Sequence, residues 1–149
     1  MRIYLRFQPT IVAESKFYAP MGDARVSPVD SQDIAAVAAA VLTEPGHEGK
    51  GYVISGPEAL SFDEIAEKLS RAVGRKITYV NVTPEQMESL GLAAGRPGWF
   101  VDSQSELWAE FRRGSGSEIT DVVRRIGKKE PVTFDDFATK NVAAFRGGR

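Results

Sequence analysis

The spacing of apolar residues along the chain predicts helices joined by a few short strands. Ile3, Phe7 and Ile11 recur at intervals of four, which predicts an amphipathic helix over residues 2–15. Pro9 lies inside this stretch, so we expect it to kink the helix or to begin a second one. The segment "KFYAP" predicts a short strand ending at Pro20, and "MGDARVSPV" predicts a loop with a brief extended piece.

The segment "DSQDIAAVAAAVLTEPG" predicts a helix of unusual composition. Asp30 is a good N-cap, Asp33 falls near the positive end of the helix dipole, and Pro45 with Gly46 ends the helix. Every residue in 34–42 is apolar, and five of these nine are alanine, which lets neighbouring backbone come close. A helix that is apolar all round is buried on more than one side. We therefore expect other elements of this chain, or another chain, to cover it.

The central segment predicts a strand, a helix and a second strand. "KGYVISG" is rich in strand-forming residues and is closed by Gly56-Pro57. Ser61 and Glu64 form a capping box for a helix that Gly74 ends. "KITYVNV" predicts the following strand.

The remaining sequence predicts helices only. Thr83 followed by Pro84 begins one helix, and a longer one is expected over 99–113. Ser117 is expected to cap a helix that carries Ile119, and Thr133 to cap the last helix. The chain is thus predicted to be one α/β domain over 1–149, with about six or seven helices, three or four short strands and a frayed tail at 146–149.

Composition narrows the classes of function. The formal net charge of −1 gives no electrostatic reason to expect nucleic acid binding. The absence of cysteine excludes disulfides and thiolate metal sites, and the single histidine, His47, makes a histidine zinc site a poor fit. No apolar run is long enough for a membrane span, and "MRIYLRFQP" does not resemble a signal peptide. We expect a cytoplasmic protein without metal or membrane partner.

Motifs for nucleotide chemistry are missing from this sequence. "GSGSEI" at 114–119 has Ile119 where the dinucleotide fingerprint needs its last glycine, and it follows a helix instead of a strand. None of the four tyrosines has a lysine at the fourth following position, so the Tyr-x-x-x-Lys proton-transfer pair is absent. We therefore assign no catalytic residue from the sequence.

Aromatic residues provide the candidate binding site. Phe17, Tyr18, Trp99, Phe100 and Trp108 lie in one helix and in elements next to loops. The ordinary interpretation of such residues is hydrophobic core. The alternative is the wall of an apolar ligand pocket, because such pockets are lined by aromatic side chains with few polar groups.

Several segments, in order, resemble the C-terminal half of the NmrA-like proteins, which are atypical short-chain dehydrogenase/reductase-fold proteins. These are the loop with Gly22 and Asp23, "VDSQDIA" at 29–35, "GPEALSFDEIA" at 56–66 and "GRKITYVNV" at 74–82. The later "FRRGSGSEITDVVRRIGKKEPVTFDDFA" is similar to the closing helices of the family. The resemblance implies the substrate-binding part of a Rossmann-type protein that lacks the N-terminal dinucleotide-binding sheet.

The resemblance also implies a function. The family includes NAD(P)H-dependent quinone and azo-dye reductases, in which a nicotinamide ring passes hydride to an apolar acceptor. It implies NAD(P) as the cofactor, the five aromatic residues as the substrate-pocket wall, and a chain inactive by itself that needs self-association or a separate Rossmann-containing partner. Two alternatives stay open: a non-catalytic module that binds a small apolar ligand or senses redox state, and a truncated product of a longer gene.

Overall fold

The computed structural model describes residues 1–148, in which helices dominate over short strands. A 3₁₀ helix spans Arg2–Phe7. The α-helices are α1 (Gln8–Glu14), α2 (Ser31–Thr43), α3 (Phe62–Val73), α4 (Pro84–Ala93), α5 (Gly98–Arg112), α6 (Val122–Arg125), α7 (Phe134–Lys140) and α8 (Val142–Arg146). The strands are β1 (Lys16–Ala19), β2 (Arg25–Val26), β3 (Leu60–Ser61) and β4 (Thr78–Asn81). No helix in this part of the chain is long and apolar enough to cross a membrane.

Side-chain caps begin the helices where the sequence predicts them. Asp30 accepts a hydrogen bond from the backbone of Gln32 at the start of α2. Ser61 and Glu64 form both hydrogen bonds of the capping box at the start of α3. The side-chain oxygens of Thr83 and Thr133 each accept a hydrogen bond from a backbone amide in the first turn of α4 and α7. These predicted helix starts are confirmed. Each cap involves only residues within one turn of the helix, so the sequence shows both partners.

The strands form two separate two-stranded sheets. Strand β1 pairs in parallel with β4, and Phe17 lies opposite Tyr79. Strand β2 pairs antiparallel with β3, and Val26 lies opposite Leu60. The predicted α/β class with few strands is confirmed, and no larger sheet occurs in residues 1–148.

Two apolar clusters hold the chain together. The larger lies between α3, β1, β4 and the C-terminal helices, and its fully buried aromatic members are Phe17, Phe134, Phe137 and Phe145. The smaller joins α2 to α6 through Val37, Ala40, Val122, Val123 and Ile126. Helices α7 and α8 pack on α3, so the C-terminal part of the chain closes the larger cluster.

The buried helix predicted over residues 34–42 is more exposed than expected. Only Val37 and Ala40 of this stretch are buried, whereas Leu42 is 83% and Ile34 43% exposed. The reason is that, among the helices and strands of residues 1–148, only α6 packs extensively on α2. Most of the apolar surface of α2 is therefore left uncovered by the described part of this chain.

The prediction of a strand at "KGYVISG" is wrong. Residues 51–56 have no strand partner within 1–148, so they form no sheet. Val53 is 58% exposed, and its carbonyl accepts a hydrogen bond from the Thr120 side chain. A strand needs a neighbour for its backbone groups, and strand propensity alone does not supply one.

The helix predicted to begin at Ser117 is also wrong. The structure has only the single turn of α6, and Ile119 lies outside it with 54% exposure. Ser27 holds the preceding segment in a non-helical course, because its amide donates to the Gly116 carbonyl and its hydroxyl donates to the Glu118 carbonyl. In residues 1–148 the α-helices number eight instead of six or seven, because Asn141 separates α7 from α8. Pro9 lies at the start of α1, which follows the 3₁₀ helix.

The C-terminal tail is hydrogen-bonded as far as it is described. Arg146 donates from Nε to the Val73 carbonyl at 3.0 Å, and Gly148 donates to the Ala143 carbonyl at 2.9 Å. Gly147 adopts a left-handed φ of 86°, which ends α8. The last residue of the tail predicted to fray, Arg149, lies outside the described residues.

Candidate functional site

One large cavity of about 890 Å³ opens on the side of the molecule formed by the 3₁₀ helix, α1, β1, α4 and α5. This volume is in the range that holds a drug-sized ligand. Its wall is mainly apolar and includes Ile3, Phe7, Leu90, Leu107, Trp108 and Phe111. Helix α5 supplies the last three of these residues.

The structure brings two of the five candidate aromatic residues to this cavity. Tyr18 and Trp108 line it. Phe17 is fully buried in the core instead, because successive residues of β1 point to opposite faces. Trp99 is 70% exposed at the start of α5, and Phe100 packs beside it outside the cavity wall. Phe17, Trp99 and Phe100 are therefore not part of this wall.

Trp108 forms the inner part of the wall. Its side chain is 7% exposed and packs edge-on against Phe62 and Phe111, with ring centroids 6.0 and 6.2 Å away. The indole Nε1 has no hydrogen-bond partner among residues 1–148. Tryptophan fluorescence responds to the surroundings of the indole, so Trp108 is a natural reporter of cavity occupancy.

The hydroxyl of Tyr18 is a polar group of the cavity wall that has a side-chain hydrogen-bond partner. Its hydroxyl donates a hydrogen bond of 2.6 Å to a carboxylate oxygen of Glu14, one turn earlier in the chain. This hydrogen bond raises the pKa of Tyr18 above its ordinary value. The phenol is therefore protonated at neutral pH, and its oxygen is free to accept a second hydrogen bond from a ligand.

Six other polar wall residues fall into two groups. Thr10, Ser27 and Ser55 direct their hydroxyls to backbone carbonyls of the protein itself. The side chains of Arg6, Arg96 and Gln104 make no hydrogen bond or ion pair within residues 1–148, although all three line the cavity. The sequence does not reveal the two arginines as a pair, since they are ninety residues apart and no local pattern relates them.

The glycine-containing turn at 114–116 does not fit a dinucleotide pyrophosphate. Gly114 and Gly116 both have left-handed φ angles and follow α5. The Gly116 carbonyl accepts two hydrogen bonds from Ser27, so the turn directs an acceptor to its neighbour and does not form a cradle of amide donors. No group of acidic or histidine side chains within 1–148 is arranged to hold a metal ion.

These features define a class of protein: an α/β chain whose own residues build a large, mainly apolar cavity. The model of the NmrA-like family matches residues 6–107. This chain belongs to the NmrA-like family.

Several relatives are named as reductases or oxidoreductases. A NAD(P)H azoreductase from Xenophilus azovorans is 38% identical over 145 residues, covering 97% of this chain and 51% of that protein. Quinone oxidoreductase 2 from Escherichia coli is 32% identical over 104 residues, covering 67% of this chain and 36% of that protein. The solved structure of an NADPH-dependent quinone oxidoreductase from Escherichia coli matches the fold with a TM-score of 0.86 at 23% identity, over 93% of this chain and 50% of that one. The chain spans about half the length of the azoreductase and of this structure.

Proposed function

We propose that this chain is the substrate-binding half of an NAD(P)H-dependent reductase that acts on quinone- or azo-type acceptors. The observation that carries the proposal is the cavity of about 890 Å³ with its mainly apolar wall. Flat aromatic acceptors are apolar on both faces, and they gain free energy from leaving water for such a wall. The similarity to an azoreductase and a quinone oxidoreductase supports this choice of ligand.

The chain's two tryptophans allow a direct test of ligand binding. In the Trp99→Phe variant, Trp108 in the cavity wall is the only indole, and in Trp108→Phe only the exposed Trp99 remains. We expect menadione or dimethylaminoazobenzene to quench the emission of Trp99→Phe in a saturable way. The same ligands should quench Trp108→Phe only weakly and in proportion to concentration. Equal quenching of the two variants, or none, would contradict the proposed site.

We also propose that reduction needs a nucleotide-binding part besides these residues. The dinucleotide fingerprint is missing and the 114–116 turn forms no cradle of amide donors, so we expect NADPH with menadione to show little loss of nicotinamide absorbance when this chain is the only protein. Robust turnover would refute this half of the proposal. If NADPH alone changes the Trp108 emission, these residues hold a nucleotide site of their own and this half of the proposal is wrong.

The uncovered surface of α2 indicates where that part would pack. Ile34, Leu42 and Val53 are exposed there, and residues 51–56 offer an extended backbone without a ladder partner in 1–148. Ile34 and Val53 also line the cavity, so whatever covers this surface would also close the cavity on that side. A second copy of this chain or a separate Rossmann-containing partner would satisfy both requirements.

Self-association in the absence of a partner follows from this argument. We expect light scattering at micromolar concentration to show dimers or larger species, and Val53→Lys to reduce them. Leu92→Lys is the matched control, because Leu92 has similar exposure, 55%, on α4 outside this surface. A monodisperse monomer that binds little hydrophobic dye would overturn the expectation.

A further inference from the structure

Two arginines share one aromatic ring beside the cavity. The guanidinium carbon of Arg6 lies 5.4 Å from the centroid of the Phe100 ring, and that of Arg96 lies 6.0 Å from it. Both arginines line the cavity, whereas Phe100 does not. The ring of Phe100 thus has a cation near it from the 3₁₀ helix and another from the α4–α5 loop.

Neither cation has a counter-charge in the described part of the chain. The carboxylates that line the cavity are those of Glu14, which accepts the Tyr18 hydroxyl, and Glu118, which lies on the segment held by Ser27. Neither forms an ion pair with Arg6 or Arg96 in residues 1–148. Two like charges held near one ring repel each other, and an anion between them would offset that repulsion.

We propose that Arg6 and Arg96 form an anion subsite that selects acceptors with an apolar aromatic body and a sulfonate, carboxylate or phosphate group. The apolar body packs against the wall formed by Leu107 and Trp108, and the two guanidinium groups bind the anion. Guanidinium suits this role because its planar donors match two oxygens of such a group at once. The unpaired side chain of Gln104 is a further donor in the same cavity. This inference rests on the proposed function and deepens it by naming the ligand class.

The test compares three dyes of one shape by equilibrium dialysis with the full chain. They are dimethylaminoazobenzene, its para-sulfonate and its para-sulfonamide, which is polar but uncharged at neutral pH. Since hydrogen bonds to charged groups are the stronger ones, we expect the sulfonate to bind about tenfold more tightly than the sulfonamide at low salt. The preference should shrink as salt is added, because part of this site is exposed.

Variants then assign the preference to the two arginines. Arg6→Gln and Arg96→Gln should each remove most of it, and the double variant all of it, without weakening the uncharged dye. Arg2→Gln is the matched control, since Arg2 is one turn away on the same 3₁₀ helix and does not line the cavity. Phe100→Leu keeps both charges and should still reduce the preference, as a positioning residue would. Far-UV circular dichroism confirms that each variant is folded.

The outcomes separate this inference from the proposed function. If the sulfonate and the sulfonamide bind equally well, or the double variant keeps the preference, the anion subsite is refuted while the apolar site stands. If none of the three dyes binds, both proposals fail.

Discussion

The buried carboxylate of Asp33 provides a sharp test of how the second apolar cluster is fixed. Asp33 is fully buried at the start of α2, and one oxygen accepts from the Lys129 ammonium at 2.5 Å. Its other oxygen accepts from the Val132 amide at 2.9 Å. These two contacts hold the segment between α6 and α7 against α2. Replacing Lys129 by methionine keeps the apolar stem and removes only the charge.

The magnitude follows from what Asp33 retains in that variant. Breaking a buried pair by removing one partner costs about 3–5 kcal/mol, because the other charge stays buried without compensation. The amide of Val132 and the positive end of the α2 dipole still favour the carboxylate, so we expect a loss near the lower end, about 3 kcal/mol. The double variant Asp33→Asn, Lys129→Met buries no charge and keeps an oxygen for Val132. It should lose about 1–2 kcal/mol only.

Urea unfolding at neutral pH, followed by far-UV circular dichroism at one protein concentration, measures these differences. Lys128→Met is the matched control, because Lys128 pairs with Glu44 at the surface, where both side chains are more than 40% exposed. Exposed pairs contribute about 0–1 kcal/mol, so this control should stay near wild type. If Lys129→Met is as stable as Lys128→Met, or the double variant is less stable than Lys129→Met, the reasoning is wrong.

Three further predictions concern stability. Burial opposes the ionisation of Asp135, but hydrogen bonds from Lys68 and Arg71 hold its pKa below the ordinary 3.8. The stability that the ionised carboxylate contributes is therefore present above pH 3.8 and is lost as pH falls through the lowered pKa. Asp135→Asn should flatten the acid side of a plot of Tm against pH, and an unchanged acid limb would contradict this. A Cβ on Gly56 would lie 1.9 Å from the Pro28 carbonyl oxygen, so Gly56→Ala should sharply lower Tm, whereas Gly51→Ala, with open space around it, should not; equal Tm values for the two would count against the packing. Phe17→Ala should cost about 3–5 kcal/mol in urea unfolding as a core residue, and Trp99→Ala less than about 1 kcal/mol as an exposed one; the reverse order would return Phe17 to a surface role.

Local signals in the sequence predicted most helix starts and ends, and long-range contacts limited the rest. The caps at Asp30, Ser61 and Thr133 involve neighbours within one turn, so the sequence shows both partners. Asp33 reads as a first-turn acidic residue, yet it binds a lysine almost a hundred residues later. The strand propensity of residues 51–56 was visible, whereas its lack of a partner depends on the whole fold.

The candidate site was predicted in part for the same reason. The longer helix expected over 99–113 is present as α5, in which Trp108 is buried. Side chains in β1 alternate between two faces, so Phe17 and Tyr18 point in opposite directions. The sequence does not show which of the two faces is buried. Arg6 and Arg96 both lie near the Phe100 ring, a relation that no spacing in the sequence reveals.

The parallel pairing of β1 with β4 has a consequence for when this chain acquires its structure during synthesis. Lys16 has no strand partner until Thr78 has been synthesised. The larger apolar cluster is complete only when Phe145 is in place. Contacts of such long sequence separation form slowly, because a large loop must close first. The early segment around Phe17 therefore leaves the ribosome with its apolar side chains uncovered, and it depends on the last helix for protection from aggregation.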